Sequence, residues 1–331
     1  MNDTVERLEK FIDFSKNDSI SKMSKKDLTY FLFFLNQYDL EYRKSLGLQK
    51  KHTFGIEIEA EYIGDAFHDQ IIPFLLKGWI QKNEYTLEDG DEYASPILSD
   101  NEESWHNIKK ICEILDKHYE IKDTCGGHIH IGANILGNTT ENWIHFLKIW
   151  SVYENIIYRF SYGEYLTPRL YLSNNSKLVA NYLWYGLNSD KLNSSNLNDI
   201  LSSFKLCKRD PLNLNNVKGM QREKNNTIEI RCPNGTLNPI IWQNNINFFM
   251  KLLLYCKNKQ YNEDILLQIK SKNSDIYKLK NYRKIYLEQA IELADLIFTN
   301  NLDKVYFLRQ YLKSFQISYS EKLERAKQFT K

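Results

Sequence analysis

Residues 53–61 read TFGIEIEAE, and this alternation of acidic and apolar residues decides the fold. Side chains at alternate positions of a β-strand share a face, so Glu57, Glu59 and Glu61 line one side of a predicted strand. The positions between them are apolar and face the core: Phe54, Ile56, Ile58 and Ala60. Neighbouring carboxylates on the acidic face lie roughly 6.5–7 Å apart and repel one another unless water or a cation separates them. The stretch therefore predicts either a half-exposed amphipathic strand or one wall of a cation site.

A second short strand is predicted at residues 125–132, which read CGGHIHIG. His128 and His130 share a face by the same alternation, and the preceding glycines allow another backbone or a ligand to approach closely. Such a pair suits a metal or phosphate contact, and equally suits two hydrogen-bonded core histidines. Its spacing fits neither the His-Glu-x-x-His helix of zinc proteases nor the motif of zinc deaminases.

A third strand is predicted where residues 226–236 read NTIEIRCPNGT. Glu229 and Arg231 share a face, either as a simple ion pair or as part of a larger polar site. The Pro-Asn-Gly sequence that follows predicts a turn into a helix that begins near Pro239.

The acidic stretch EDGDEYASP at residues 88–96 lies between the first two strands. Glu92 opens an apparent strand and can point toward Glu57 and Glu59, whereas the roles of Asp89 and Asp91 stay open. A sheet that presents all these acidic, imidazole and guanidinium groups on one face would hold more than one hard cation. Mg²⁺ prefers carboxylate oxygens and keeps waters for substrate phosphates, so it suits this combination.

The rest of the chain predicts helices around these strands, so the fold class is α+β rather than a doubly wound parallel sheet. The N-terminal 49 residues are expected to be helical, with Ser24 as the N-cap ahead of a second helix at residues 28–46. Further helices are expected at residues 101–117, 139–161, 196–206, 240–257, 262–271 and 282–318. Strands are expected at residues 52–97, 125–132 and 227–232.

The charge, the cysteine content and the lack of long apolar segments bear on the partners and the location of the protein. The 331 residues carry 44 Lys and Arg against 42 Asp and Glu, and the net charge of +2 gives no reason to expect a nucleic-acid partner. The five cysteines contain no C-x-x-C pair, which argues against a disulfide framework or a zinc knuckle and suits a reducing compartment. No signal-peptide pattern or bilayer-length apolar run is present, so we expect a cytoplasmic protein without a membrane partner.

The order of these motifs resembles the amidoligase family, which belongs to the superfamily of glutamine synthetase and glutamate–cysteine ligase. The motifs are FGIEIE, ExxSP, CGGHIHIG and TIEIRxxNGT, and they run from about residue 52 to residue 238. The resemblance implies a curved antiparallel sheet of the glutamine-synthetase catalytic type, with helices packed on its outer face. It also implies an N-terminal helical segment at residues 1–50, a catalytic core at residues 51–238, and C-terminal helices at residues 239–331.

The resemblance implies ATP and two or three Mg²⁺ ions as cofactors, with Mn²⁺ as an alternative metal. The implied metal ligands are Glu57, Glu59, Glu92, His128 and Glu229. The residues implied to bind the cofactor are Arg231, Arg222, Arg169 and His130. The implied catalytic residues are Arg231, Glu57 and Glu229. No Walker A element occurs in the chain, but this superfamily binds ATP without a P-loop.

The implied reaction joins a carboxylate to an amine, each from a small molecule or a peptide. The carboxylate would attack the γ-phosphorus of ATP to give an acyl phosphate, and the amine would then displace phosphate. Cations are needed because the first step brings two anions together. Two alternatives stay open: a metal-dependent amide or phosphoester hydrolase that turns over without ATP, and a catalytically degenerate binding protein. The sequence leaves the oligomeric state open.

Overall fold

The computed structural model describes residues 3–63, 77–169, 197–203, 210–217, 226–258 and 285–313, together with residues 264 and 268. These residues form helices and one antiparallel sheet, which confirms the α+β class. The division at residues 51 and 238 stays a prediction.

The described part of the chain contributes eight strands to the sheet, which are arranged around β1. They are β1 (Thr53–Tyr62), β2 (Ile80–Asn83), β3 (Gly90–Ala94), β4 (Leu98–Ser99), β5 (Tyr119–Glu120), β6 (Gly127–Gly132), β7 (Leu212–Asn213) and β8 (Thr227–Ile230). The main order is β2-β3-β1-β6-β8-β7, while β4 and β5 pair with the two ends of β1. Each of these pairings is antiparallel. β1 is therefore central, and its side chains reach neighbours on β3 and on β6.

The described residues also form eight α-helices. They are α1 (Asp3–Glu9), α2 (Lys25–Leu35), α3 (Glu102–Leu115), α4 (Thr140–Ser161), α5 (Leu197–Ser203), α6 (Pro239–Asn258), α7 (Leu287–Ile297) and α8 (Asn301–Leu312). Short 3-10 turns occur at Ile20–Lys22 and Ala133–Ile135. The long helices α4 and α6 pack against each other, and α8 packs against both. None of the described helices combines the length and apolar composition that a bilayer span requires.

Because acidic and apolar residues alternate along β1, one face of this strand is apolar and the other carries the glutamates. Phe54, Ile56, Ile58 and Ala60 are all buried on the core side. Phe54 stacks on Trp105 of α3 with ring centroids 5.2 Å apart, so α3 covers this part of the sheet. Burial of each large apolar side chain contributes roughly 1.5–3 kcal/mol, which fixes which face of β1 turns inward. The glutamates are consequently held on the other face.

Two predicted helices differ from the structure. The prediction for residues 28–46 was wrong at its C-terminal end, because α2 ends at Leu35 and an irregular segment follows. Buried Asp100 anchors that segment by accepting hydrogen bonds from the backbone amides of Leu46 and Leu48, at 2.9 and 2.7 Å. The predicted helix at residues 282–318 is divided into α7 and α8, and its last residues lie outside the described ranges. The predicted helix at residues 262–271 also lies outside them, apart from residues 264 and 268.

Helix capping and long-range contacts hold the two ends of the fold together. The predicted N-cap Ser24 is confirmed, since its side chain accepts a hydrogen bond from the Asp27 amide. Asp295 of α7 accepts from the backbone amides of Ile20 and Ser21, at 3.1 and 2.9 Å. The N-terminal segment thus packs on the C-terminal helices.

Candidate metal centre

Strand register brings the predicted site residues onto one face of the sheet. Glu57 of β1 lies opposite His128 of β6, and Glu59 of β1 lies opposite Glu92 of β3. His130 of β6 lies opposite Glu229 of β8. Directly opposed residues in an antiparallel pair have Cβ atoms about 4.5–5.5 Å apart, so residues predicted from distant parts of the sequence become neighbours.

Glu57 lies between the two histidines at the middle of this face. Its Oε2 is 2.9 Å from His128 Nδ1, and its Oε1 is 3.2 Å from His130 Nε2. Burial opposes the ionisation of Glu57, but the contacts with both imidazoles hold the pKa of this carboxyl well below its usual range. Burial also disfavours the charged form of His130, yet the Glu57 carboxylate raises the pKa of this imidazole. Glu57 is therefore an anion at neutral pH.

Among the described residues, three groups of side chains bring ligand atoms within 4.8 Å of one another, which is close enough to hold a metal ion. The groups are Glu57 with Glu92 and His128, Glu57 with His130 and Glu229, and Glu59 with Glu84 and Glu92. The first two groups share Glu57, and the first and third share Glu92. A shared carboxylate can bridge two ions, as in two-metal centres. Carboxylate oxygens and imidazole nitrogens are suitable ligands for Mg²⁺ or Mn²⁺.

Glu92 is buried among like charges. Burial and then the charge of Glu57 raise the pKa of its carboxyl, although Lys82 opposes this shift. Lys82 of β2 donates to Glu92 Oε1 at 2.9 Å and lies 3.9 Å from Glu57 Oε1. A divalent ion at this position would stabilise the ionised carboxylates more strongly than the half-exposed lysine does.

Two arginines lie beside the carboxylates. Arg231 forms an ion pair with Glu229 on the same face of the sheet. Arg169, which follows α4, places Nη1 3.2 Å from Glu59 Oε2 and Nη2 3.1 Å from His128 Nε2. Both were predicted as cofactor-binding residues, and the structure brings both to the carboxylates. The third predicted arginine, Arg222, lies outside the described residues.

Other acidic residues of the predicted region have structural contacts. Asp91 lies on the opposite face of β3 from Glu92, where it accepts hydrogen bonds from Tyr62 and from Gln81. Glu61, at the end of β1, lies 2.8 Å from the Lys122 amine. Neither belongs to a candidate metal group among the described residues.

Sequence reasoning missed two residues of the site, Lys82 and Glu84. Lys82 lies on β2 opposite Glu92, and Glu84 follows the same strand. Their stretch, Ile80-Gln-Lys-Asn-Glu84, lacks the strict alternation of the other strands. The signal that could have found them is the pairing of β2 with the acidic strand β3, which depends on the fold.

A cavity of 460 Å³ adjoins the carboxylates on the same face. Its polar end is formed by Glu57, Lys82 and His130. The rest of the lining contains the hydroxyl residues Thr53, Ser95 and Thr227 among small and apolar residues such as Gly55, Ile80 and Ile97. A volume of this size suits a small-molecule ligand whose polar end reaches the carboxylates.

The sequence matches no model of a known protein family and no curated protein.

Proposed function

We propose that this chain is an ATP-dependent carboxylate–amine ligase that holds two or three Mg²⁺ ions, with Mn²⁺ as an alternative. The observation that carries the proposal is the pair of adjacent three-ligand groups that share Glu57. The proposal includes a sheet of the glutamine-synthetase type, a cytoplasmic location, and small-molecule or peptide carboxylate and amine substrates. The resemblance of the strand motifs to amidoligases supports the same assignment.

The charge of the site supports a phosphate-bearing substrate. The candidate metal groups contain five carboxylates, and three cationic side chains contact them: Lys82, Arg169 and Arg231. With the imidazoles counted as neutral, the formal charge without metal is −2, and two divalent ions would make it +2. Because an excess of charge in a partly buried site is costly, the loaded site requires an anionic ligand. A triphosphate and a carboxylate meet this requirement, whereas a neutral amide does not.

The proposed reaction proceeds in two balanced steps. A carboxylate oxygen attacks the γ-phosphorus of ATP, ADP leaves with the bridging oxygen, and an acyl phosphate forms. The amine nitrogen then attacks the acyl carbon, phosphate leaves, and the amine loses a proton as the amide forms. Metal ions held by the carboxylates would neutralise the phosphate oxygens during the transfer.

The side chains of this chain have distinct roles in that reaction. Six side chains would hold the metal ions: Glu57, Glu59, Glu92, His128, Glu229 and His130, the last of which was predicted to bind the cofactor. Arg231 is suited to bind a phosphoryl or carboxylate group because a guanidinium can donate two parallel hydrogen bonds to an anion. Its side chain is 20% exposed at the edge of the carboxylate cluster, so it can reach a ligand. The adjoining cavity would accept the organic part of a substrate.

The proposal is tested by ADP release from ATP and Mg²⁺ in the presence of pooled carboxylates and amines. Wild type should release ADP only when a carboxylate is present. Glu57→Gln should lower the rate at least 100-fold, because Glu57 contributes to two candidate metal groups. Glu120→Gln, which removes an exposed carboxylate from β5, is the matched control and should retain the rate. Hydrolysis of an amide or phosphoester without ATP would instead favour the hydrolase.

A further inference from the structure

Arg169 lies where a cation would bind between His128 and Glu59. His128 Nε2 and Glu59 Oε1 are 3.3 Å apart, and both atoms are hydrogen-bond or metal acceptors when His128 is neutral. The Arg169 guanidinium contacts both residues, at 3.1 Å from His128 Nε2 and 3.2 Å from Glu59 Oε2. All three side chains are more than nine-tenths buried. A protein cation therefore occupies the lone pairs that a metal ion would use.

The contact with Arg169 also fixes which nitrogen of His128 carries the proton. An arginine has donors and no acceptor, so Nε2 must accept the hydrogen bond and must be unprotonated. Nδ1 then carries the hydrogen and donates it to Glu57 Oε2 at 2.9 Å, which is a shorter contact than the 3.4 Å between Nδ1 and Arg231 Nη1. In this arrangement neither ring nitrogen has a free lone pair. His128 therefore cannot ligate a metal ion until Arg169 moves away from Nε2.

Gly126, the first glycine of the CGGHIHIG stretch, provides the space for this guanidinium. A Cβ at this position would lie 1.8 Å from Arg169 Nη1 and 2.8 Å from Glu59 Oε2. The backbone amide of Gly126 donates to the same Glu59 oxygen at 2.5 Å. Any larger residue here would displace the guanidinium, which is the movable end of a long side chain. The position of the Arg169 guanidinium therefore depends on a glycine at residue 126.

We propose that Arg169 is an internal cation that competes with the metal ion for His128 and Glu59, and so sets the metal affinity of the site. This proposal rests on the metal site of the proposed function. Gly126 admits the guanidinium, and loading the ion next to His128 requires its displacement. Arg169 is accordingly a positioning residue of the metal-free protein, because it fixes the tautomer and orientation of a ligand.

Two variants distinguish the effect of the contact between Arg169 and His128 from the effect of the positive charge of Arg169. Arg169→Met removes both the guanidinium and its charge, whereas Gly126→Ala keeps the charge and pushes the guanidinium off His128. Mn²⁺ is the probe, and its dissociation constant is measured by calorimetry and by electron paramagnetic resonance on the full chain. Both variants should bind Mn²⁺ roughly 10- to 100-fold more tightly than wild type, the equivalent of one charge-assisted contact. Lys82→Met removes a half-exposed cation that does not touch His128, and should tighten binding by no more than about fivefold.

The ring nitrogens of His128 provide a readout that a general electrostatic effect would not change. In metal-free wild type, ¹⁵N NMR should show an unprotonated Nε2 and a protonated Nδ1. Arg169→Met should relax this preference, while Lys82→Met should keep it. Equal Mn²⁺ affinity in wild type and both Arg169→Met and Gly126→Ala, or a protonated Nε2 in wild type, would overturn the proposal. Failure of wild type and of both variants to bind Mn²⁺ would instead contradict the proposed metal site.

Discussion

Replacing Glu92 with glutamine should change stability in opposite directions without and with a divalent metal ion. Without metal, burial and the charge of Glu57 raise the pKa of Glu92, so the folded state resists the ionised form. A neutral amide removes this cost, and the lost ion pair with half-exposed Lys82 is worth only about 0.2–1 kcal/mol. We expect Glu92→Gln to raise the free energy of unfolding by up to about 1 kcal/mol in EDTA at pH 7.

The pH dependence of this effect has a definite sign. A raised pKa means that the folded state binds more protons than the unfolded chain. The contribution of Glu92 to stability is therefore greatest below its unfolded value of 4.5 and falls as pH rises toward the raised pKa. The free energy of unfolding of Glu92→Gln should not show this decrease with rising pH, because glutamine does not titrate.

With metal, the same substitution should reduce the stabilisation that the ion confers. At a metal concentration of about 100 times the dissociation constant, wild type gains about 2.7 kcal/mol. Loss of one of three ligands that weakens affinity about 100-fold would leave the variant with about 0.4 kcal/mol at the same concentration. The metal-induced gain should thus be smaller by about 2 kcal/mol, or several degrees in Tm.

The assay is chemical and thermal denaturation in EDTA and in excess Mg²⁺ or Mn²⁺. The control is Asp91→Asn, which changes the neighbouring carboxyl on the opposite face of β3. This control should lower stability in both conditions and keep the metal-induced gain. A Glu92→Gln variant that is strongly destabilised in EDTA, or that keeps the full metal-induced gain, would refute the reasoning.

Three further predictions concern the fold that supports the site. Asp100→Ala should lower the free energy of unfolding by about 3–5 kcal/mol in urea denaturation, because Trp105 and two backbone amides lose a buried acceptor. Gly90→Ala should lower the free energy of unfolding by more than about 2 kcal/mol in the same assay, because the new Cβ would lie 2.2 Å from the Ala60 carbonyl oxygen. NMR spectra of this variant should show that the pairing of β1 with β3 is disturbed. Burial raises the pKa of the Asp295 carboxyl, but hydrogen bonds from Ser21, Lys304 and Ile20 outweigh this effect and lower it below 3.8. The ionised carboxylate therefore stabilises the fold above pH 3.8, and this stabilisation is lost as pH falls through the lowered pKa. Asp295→Asn should therefore be less stable than wild type near neutral pH, and the two should converge on acidification below about pH 4.

Periodicity was sufficient to predict three of the strands that carry the site. The alternation at residues 53–61 and the His-x-His and Glu-x-Arg pairs each predict a strand and the face that its polar residues share, and the structure confirms all three strands. The register between neighbouring strands could not be predicted from periodicity. That Glu57 pairs with His128 and Glu59 with Glu92 depends on connections whose lengths and contacts are set by the whole fold.

The features that were missed lack local patterns. α2 was predicted too long because the apolar residues Leu40 and Leu46 follow it, yet both are buried in an irregular segment that Asp100 holds through the amides of Leu46 and Leu48. Arg169 was predicted as a site residue, but its contact with His128 was not, because that contact depends on the space that Gly126 leaves. Such contacts join residues far apart in sequence, so composition and spacing do not indicate them.

The most direct test of the central claim is ATP binding by calorimetry, with and without Mg²⁺, on wild type and on Glu229→Gln. Glu229 lies in one candidate metal group and forms an ion pair with Arg231, so its loss affects both the metal and the phosphate contacts. The account predicts Mg²⁺-dependent binding by wild type that weakens at least tenfold in the variant. A folded wild-type protein that does not bind ATP in the presence of Mg²⁺ would contradict it.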